Sequence, residues 1–100
     1  MEININTQGK ETVAALCGRL DTLAAQESVA QFESLQEKAR GKVILDCSKL
    51  EYISSSGLRL FLTLRKAADT KGGKVIVKDL SADVRKVFMI TGFMNLFEFQ

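Results

Sequence analysis

The sequence predicts an α/β domain: a mixed sheet of four or five strands with helices packed against it. The expected order is β-β-α-β-α-β-α, with room for a final β. Three observations carry this reading. Short apolar runs rich in β-branched residues, Val43-Ile44-Leu45 and Val75-Ile76-Val77, alternate with amphipathic segments of helical period. Two successive strand–helix–strand units imply parallel strands with right-handed crossovers. A turn at Gly9-Lys10 joins two short runs near the N-terminus, so a hairpin adds an antiparallel edge. One hundred residues make one domain, 1–100. A chain this long buries roughly two-thirds of its unfolded surface and needs no covalent staples.

Each element has its own signal. Ile3 and Ile5 alternate with polar neighbours over residues 2–7, the period of a half-buried strand. Thr12 to Cys17 is apolar and partly β-branched, a partner strand for the first. Asp21 or Thr22 caps a helix that runs from Leu23 toward Gly41, with Ala25, Val29, Phe32, Leu35, Gln36 and Ala39 at helical spacing. Val43 to Leu45 reads as a central strand covered on its faces. A serine-rich loop then leads into a helix from about Ser56 to Lys71, closed by Gly72-Gly73. Lys74 to Lys78 is the next strand. Ser81 caps a short helix with Val84, Val87 and Phe88 as its core face, ending at Gly92. Leu96 to Phe99 reads as a weak strand or an apolar plug.

Composition excludes several classes. The chain has no His, which removes a Ser-His-Asp triad, a Cys-His dyad and any His metal site. Cys17 and Cys47 are too few for the usual zinc cluster, and each sits in an apolar run where a free thiol acts as a small buried hydrophobe. Net charge is −1 over residues 1–50 and +3 over 51–100. That spread lacks the basic stripe and interleaved aromatics of a nucleic-acid binder. The longest apolar run, Val13 to Cys17, is far too short to cross a bilayer. The start, MEININTQGK, has neither a basic nor an apolar leader segment, so no signal peptide is expected. The expectation is a soluble cytoplasmic protein that does not insert in a membrane.

In open α/β sheets, function gathers at the carboxyl ends of the parallel strands. Here that place holds Ile53-Ser54-Ser55-Ser56-Gly57-Leu58-Arg59, at the start of a helix. Gly57 is expected to allow a close backbone approach. A serine nucleophile needs an oriented base, and only Lys49 is near in sequence. The segment lacks the spaced glycines and Lys-Ser/Thr of a phosphate-binding P-loop. Phosphorylation is the third chemistry: a phosphoserine adds about −1.5 to −2 charges at a helix end whose dipole tolerates them. Plain N-capping is the commoner role of serine at such a place. Asp46, at the strand end, suits a bond to loop N–H groups, and Glu51 suits solvent. No catalytic or metal set emerges.

On the following helix, Gly57, Leu60, Phe61, Leu64, Ala67 and Ala68 share one face that should pack on the sheet. Leu58 and Leu62 lie on another face, flanked by Arg59, Thr63 and Lys66. Either a neighbouring helix covers that pair, or it is a small apolar contact patch beside the serines.

The run Asp46…Leu50-Glu51-Tyr52-Ile53-Ser54-Ser55-Ser56-Gly57-Leu58-Arg59 resembles the signature of STAS domains, specifically the bacterial anti-sigma factor antagonists. Gly18-Arg19-Leu20-Asp21-Thr22 is similar to that family's other common motif. Gly72-Gly73-Lys74-Val75 and Thr91-Gly92-Phe93 also stand where the family has a strand and its closing helix. The resemblance implies a regulatory protein, not an enzyme, with no cofactor. It implies binding to an anti-sigma factor that is also an ATP-dependent serine kinase, release of a sigma factor, and reversal by phosphorylation and a serine phosphatase. Carried over, the phosphoacceptor is Ser55. Many members have Asp just before the acceptor; this chain has Ser54, which becomes a rival acceptor. Partner contacts are expected from Asp21, Thr22, Ser54, Ser55, Ser56, Gly57, Leu58, Arg59 and Leu62. A second implied role is an accessory subunit of a membrane phospholipid-transport complex, with no phosphorylation switch.

Overall fold

A computed structural model describes residues 1–100. Strands β1 (Glu2–Gln8) and β2 (Glu11–Leu20) form the antiparallel hairpin. Helices α1 (Thr22–Glu27) and α2 (Val29–Glu37) cross to β3 (Lys42–Ile53), and α3 (Ser55–Lys71) crosses to β4 (Lys74–Lys78). Helix α4 (Ala82–Ile90), a 3-10 turn (Phe93–Leu96) and the two-residue β5 (Glu98–Phe99) close the chain. The sheet order is β1-β2-β3-β4-β5, with every pair after the hairpin parallel. The connections after the hairpin all advance across the sheet in one direction, and parallel crossovers are right-handed as a rule, which puts the helices on the same face.

The core shows this directly. Ala14, Leu16, Val43, Leu45, Val75 and Val77 point from the strands into one cluster with Ala24, Phe32, Leu35, Leu58, Phe61, Leu64, Val84 and Phe88 from the helices. Phe61 of α3 is its hub, with ring centroids 5.9 Å from Phe32 of α2 and 6.0 Å from Phe88 of α4. Side chains alternate in a strand, so Asn6, Val13, Ile44, Ile76 and Glu98, which lie in one row by register, face the side that carries no helix. The Val-Ile-Leu run of β3 is therefore covered by helices on one face only. Ile44 owes its burial to its central position, with a strand on each side.

Three elements differ from the sequence reading. The segment from Leu23 toward Gly41 is two helices, interrupted at Ser28, which leaves helical geometry at φ −100° and ψ 1°. The hydrophobic period continues across the break and hides it. Strand β3 runs to Ile53, eight residues past Leu45, because β2 also continues to Leu20 and holds it through two register shifts. Those bulges let the pair twist and carry both strand ends to the top of the sheet. Finally, Cys17 is half-exposed while Cys47 is fully buried.

Candidate functional site

The site is the junction between the ends of β2 and β3 and the start of α3. Leu20 and Ile53 are register partners, and both side chains point into the core. One residue later, Ser54 leaves the strand with extended backbone and becomes the N-cap of α3. Its Oγ accepts the Gly57 N–H at 3.2 Å and donates to the Leu20 carbonyl at 3.0 Å. The Ser54 N–H donates to the same carbonyl at 2.9 Å. Ser54 thus closes the helix end and ties it to a strand 34 residues earlier in the chain. A carboxylate at this position could cap the helix but could not donate to Leu20, so the hydroxyl serves two bonds where an Asp would serve one.

Gly57 is required by close packing, although against side chains and not backbone. A Cβ there would lie 2.8 Å from Leu20 Cγ and 2.9 Å from Ile53 Cγ1. The first turn of α3 therefore packs closely on the side chains of the two strand ends.

Ser55 is the first helical residue. It is exposed, and its hydroxyl makes no hydrogen bond within the chain. Ser56 is half-buried. The β2–α1 turn stands beside them: Asp21 caps α1 through Oδ1, which accepts the Ala24 N–H at 2.8 Å, and Thr22 is exposed. Asp46 Oδ1 accepts the Ser48 N–H at 3.0 Å, and Glu51 is exposed.

Helix α3 presents a different face from the one its spacing suggested. Leu58 is 1 % exposed and belongs to the core, so it offers no surface to a partner. Gly57 and Ser54 are likewise buried, Ser54 at 8 % exposed. Leu62 is half-buried, as are Leu60 and Ala67, which the spacing had placed in the core. Gly57, Phe61, Leu64 and Ala68 stay buried as expected, and because α1 and α2 pack on α3 as well as the sheet, the buried arc gains Leu58 and leaves Leu60 and Ala67 at its edge. Asp21, Thr22, Ser55 and Arg59 remain exposed and Ser56 half-exposed, so the structure brings these five together at one end of the sheet.

Two features escaped the sequence. A groove of about 200 Å³ lies between the α1/α2 break and α3, lined by Ala25, Gln26, Val29, Ser56, Arg59, Leu60 and Thr63. The exposed Val29 is its sequence signal, hidden because it fits the helical period. The Arg19 guanidinium also stacks on the Tyr52 ring at 4.4 Å, a cation–π pair on register-matched residues. Only the bulged register of β2 and β3 brings them opposite, and nothing local announces it.

Below the junction, Cys47 is buried on β3. Desolvation pushes its thiol up to about 12, and the Asp46 and Asp79 carboxylates add to the rise. It stays a protonated, unreactive core residue at neutral pH.

The arrangement is one exposed serine on a rigid helix start, flanked by a shallow groove. With that geometry in place, the family comparison is decisive: the model of the STAS domain matches residues 2–100. The chain belongs to the STAS domain family. Within it, the chain is 34% identical over 85 residues to BtrV of Bordetella bronchiseptica, named as a candidate anti-sigma factor antagonist; the match covers 85% of this chain and 73% of that one. The fold of this STAS domain matches the unphosphorylated anti-sigma factor antagonist SpoIIAA with a TM-score of 0.75 at 21% identity, covering 99% of this chain and 87% of that one. It matches phosphorylated Bacillus SpoIIAA with a TM-score of 0.74 at 22% identity, covering 99% and 91%. The chain is thus grouped with the anti-sigma factor antagonists of the family. No helix in the structure is long and apolar enough to cross a membrane.

Proposed function

We propose that this STAS domain is a regulatory binding protein that docks on an anti-sigma factor with serine-kinase activity, frees a sigma factor, and is switched off by phosphorylation of Ser55. The carrying observation is the contrast between adjacent serines: Ser54 has both hydroxyl functions engaged and is buried, whereas the Ser55 hydroxyl is exposed and unbonded. In the modification step, a bond forms between Ser55 Oγ and the γ-phosphorus of ATP. The β–γ bridging P–O bond breaks, the hydroxyl proton passes to a kinase base, and ADP leaves. A serine phosphatase would hydrolyse the ester and restore the docking form.

The fold supports a switch by surface charge. Its similarity to SpoIIAA is the same for the phosphorylated and unphosphorylated forms of that protein. A phosphate on the first helical residue meets the favourable end of the α3 dipole, so the domain keeps its structure while the docking end changes sign. Asp21, Thr22, Ser56 and Arg59 surround Ser55 and would contact the partner. Docking would then require stripping water from a doubly charged group. A loss of about 3 kcal/mol weakens binding more than a hundredfold.

Affinity capture from lysate of the source organism tests this reading. Wild type, Ser55→Asp and Ser54→Asp would each serve as bait, with mass spectrometry of the bound proteins. The expected result is an ATP-binding kinase on wild type and its loss with Ser55→Asp. Loss only with Ser54→Asp, in a chain whose melting curve matches wild type, would move the acceptor by one residue. Capture of the same transporter subunit by all three would replace the signalling role with an accessory role in transport.

A further inference from the structure

Arg59 lies one helical turn after Ser55 and has no acidic partner. The contrast within α3 is direct. Arg65 pairs with Asp69 at i, i+4, with 3.7 Å between Nη2 and Oδ2. Arg59 makes no ion pair, and its own one-turn neighbours are Ser55 and Thr63, both uncharged. It is exposed, and it forms part of the wall of the groove beside Val29 and Leu60. Side chains at i and i+4 are neighbours on a helix surface, and an acid N-terminal to a base is the favoured orientation. A phosphate on Ser55 creates that acid. It also offers a guanidinium several acceptor oxygens in the planar geometry that arginine matches with two parallel hydrogen bonds.

From this we infer that Arg59 is the internal receptor for the Ser55 phosphate: on phosphorylation it turns from the groove to pair with the phosphate. The inference rests on Ser55 being the acceptor. It makes the switch double. The modification adds charge at Ser55 and at the same time withdraws a cationic wall from the groove, so both features of the docking end change together. Other charges near Ser55 do not supply this partner. Asp21 has the wrong sign and is committed to its own cap, and Glu51 also has the wrong sign. Arg19 is engaged with the Tyr52 ring.

The test places phosphoserine at position 55 during synthesis and follows the phosphate by phosphorus NMR through its second ionisation. Three chains are compared: the parent, Arg59→Gln, and Arg65→Gln, which removes the same charge elsewhere on the helix. Arg59 is exposed, so its replacement leaves the fold intact, and circular dichroism checks this. The expected result is a phosphate pKa lower by about half a unit in the parent and in Arg65→Gln than in Arg59→Gln. The Arg59 Nε–H resonance should also move when the phosphate is present. Equal titration in all three chains would overturn the pairing, as would an equal rise in both variants. Because the phosphate is installed without a kinase, failure here is separable from failure of the functional reading, in which the captured kinase leaves Ser55 unmodified.

Discussion

The molecule contains two serine-capped junctions between a parallel strand and a helix, and they differ instructively. At the start of α4, Ser81 accepts the Val84 N–H at 3.2 Å, the same distance at which Ser54 accepts the Gly57 N–H. The local cap chemistry is therefore identical. The surroundings are not. Ser81 is exposed and makes no bond beyond its own turn, and α4 carries Asp83 in its first turn. Ser54 is buried and cross-tied to β2, and α3 has no acid in its first turn. The α4 junction is what capping alone produces. The α3 junction adds a rigid attachment to a second strand, two further serines and a helix end left without a negative charge. Capping explains Ser54 and leaves Ser55 without a structural task.

Four changes sharpen or break this comparison. The largest swing is at high pH. Cys47 lies within β3, where burial, helped by the carboxylates of Asp46 on the same strand and Asp79 just after β4, raises its thiol to about 12, against 9.0 for a free thiol. The folded pKa is raised, so the native state holds the proton longer than the unfolded chain. This contribution to stability is complete below pH 9 and is lost as pH rises toward 12, at about 1.4 kcal/mol per pH unit. Denaturant midpoints of wild type and Cys47→Ala should converge over that window; a constant gap would contradict the burial assignment. Next, Gly57→Ala should cost about 1–3 kcal/mol, because Leu20 and Ile53 must move to admit the methyl group. An unchanged melting curve would mean that α3 is free to slide on the strand ends.

Smaller effects separate the two caps. Ser54→Ala should cost about 2 kcal/mol, since it removes a cap and a buried cross-strand hydrogen bond. Ser81→Ala should cost about 1 kcal/mol, the cap alone. Urea unfolding of the pair checks the order, and equal losses would remove the distinction between the junctions.

Much of this was legible in the sequence, for identifiable reasons. Two Val-Ile-rich runs separated by a helical period suffice for parallel strands, and both the Ser81 cap and the Gly72 helix end are local signals that held. The length of β3 was not legible. Ser48 to Tyr52 reads as loop, and only pairing with β2 makes it strand. The burial of Leu58 was not legible either, because the extent of the buried face of α3 depends on the packing of α1 and α2 on it and not only on its own spacing. At the site, the three serines were visible as a cluster. What distinguishes Ser54 from Ser55 is a hydrogen bond to Leu20, a residue distant in sequence, and no local pattern encodes it.

The division of labour between these two serines is the point to test first. Ser54→Ala and Ser55→Ala would be compared side by side for unfolding free energy and for phosphate incorporation by the captured kinase. The expected result is opposite behaviour: Ser54→Ala loses about 2 kcal/mol yet is still phosphorylated, whereas Ser55→Ala stays within about 0.5 kcal/mol of wild type and takes no phosphate. Phosphate on Ser54 in the Ser55→Ala chain, or a stability loss confined to Ser55→Ala, would contradict the assignment.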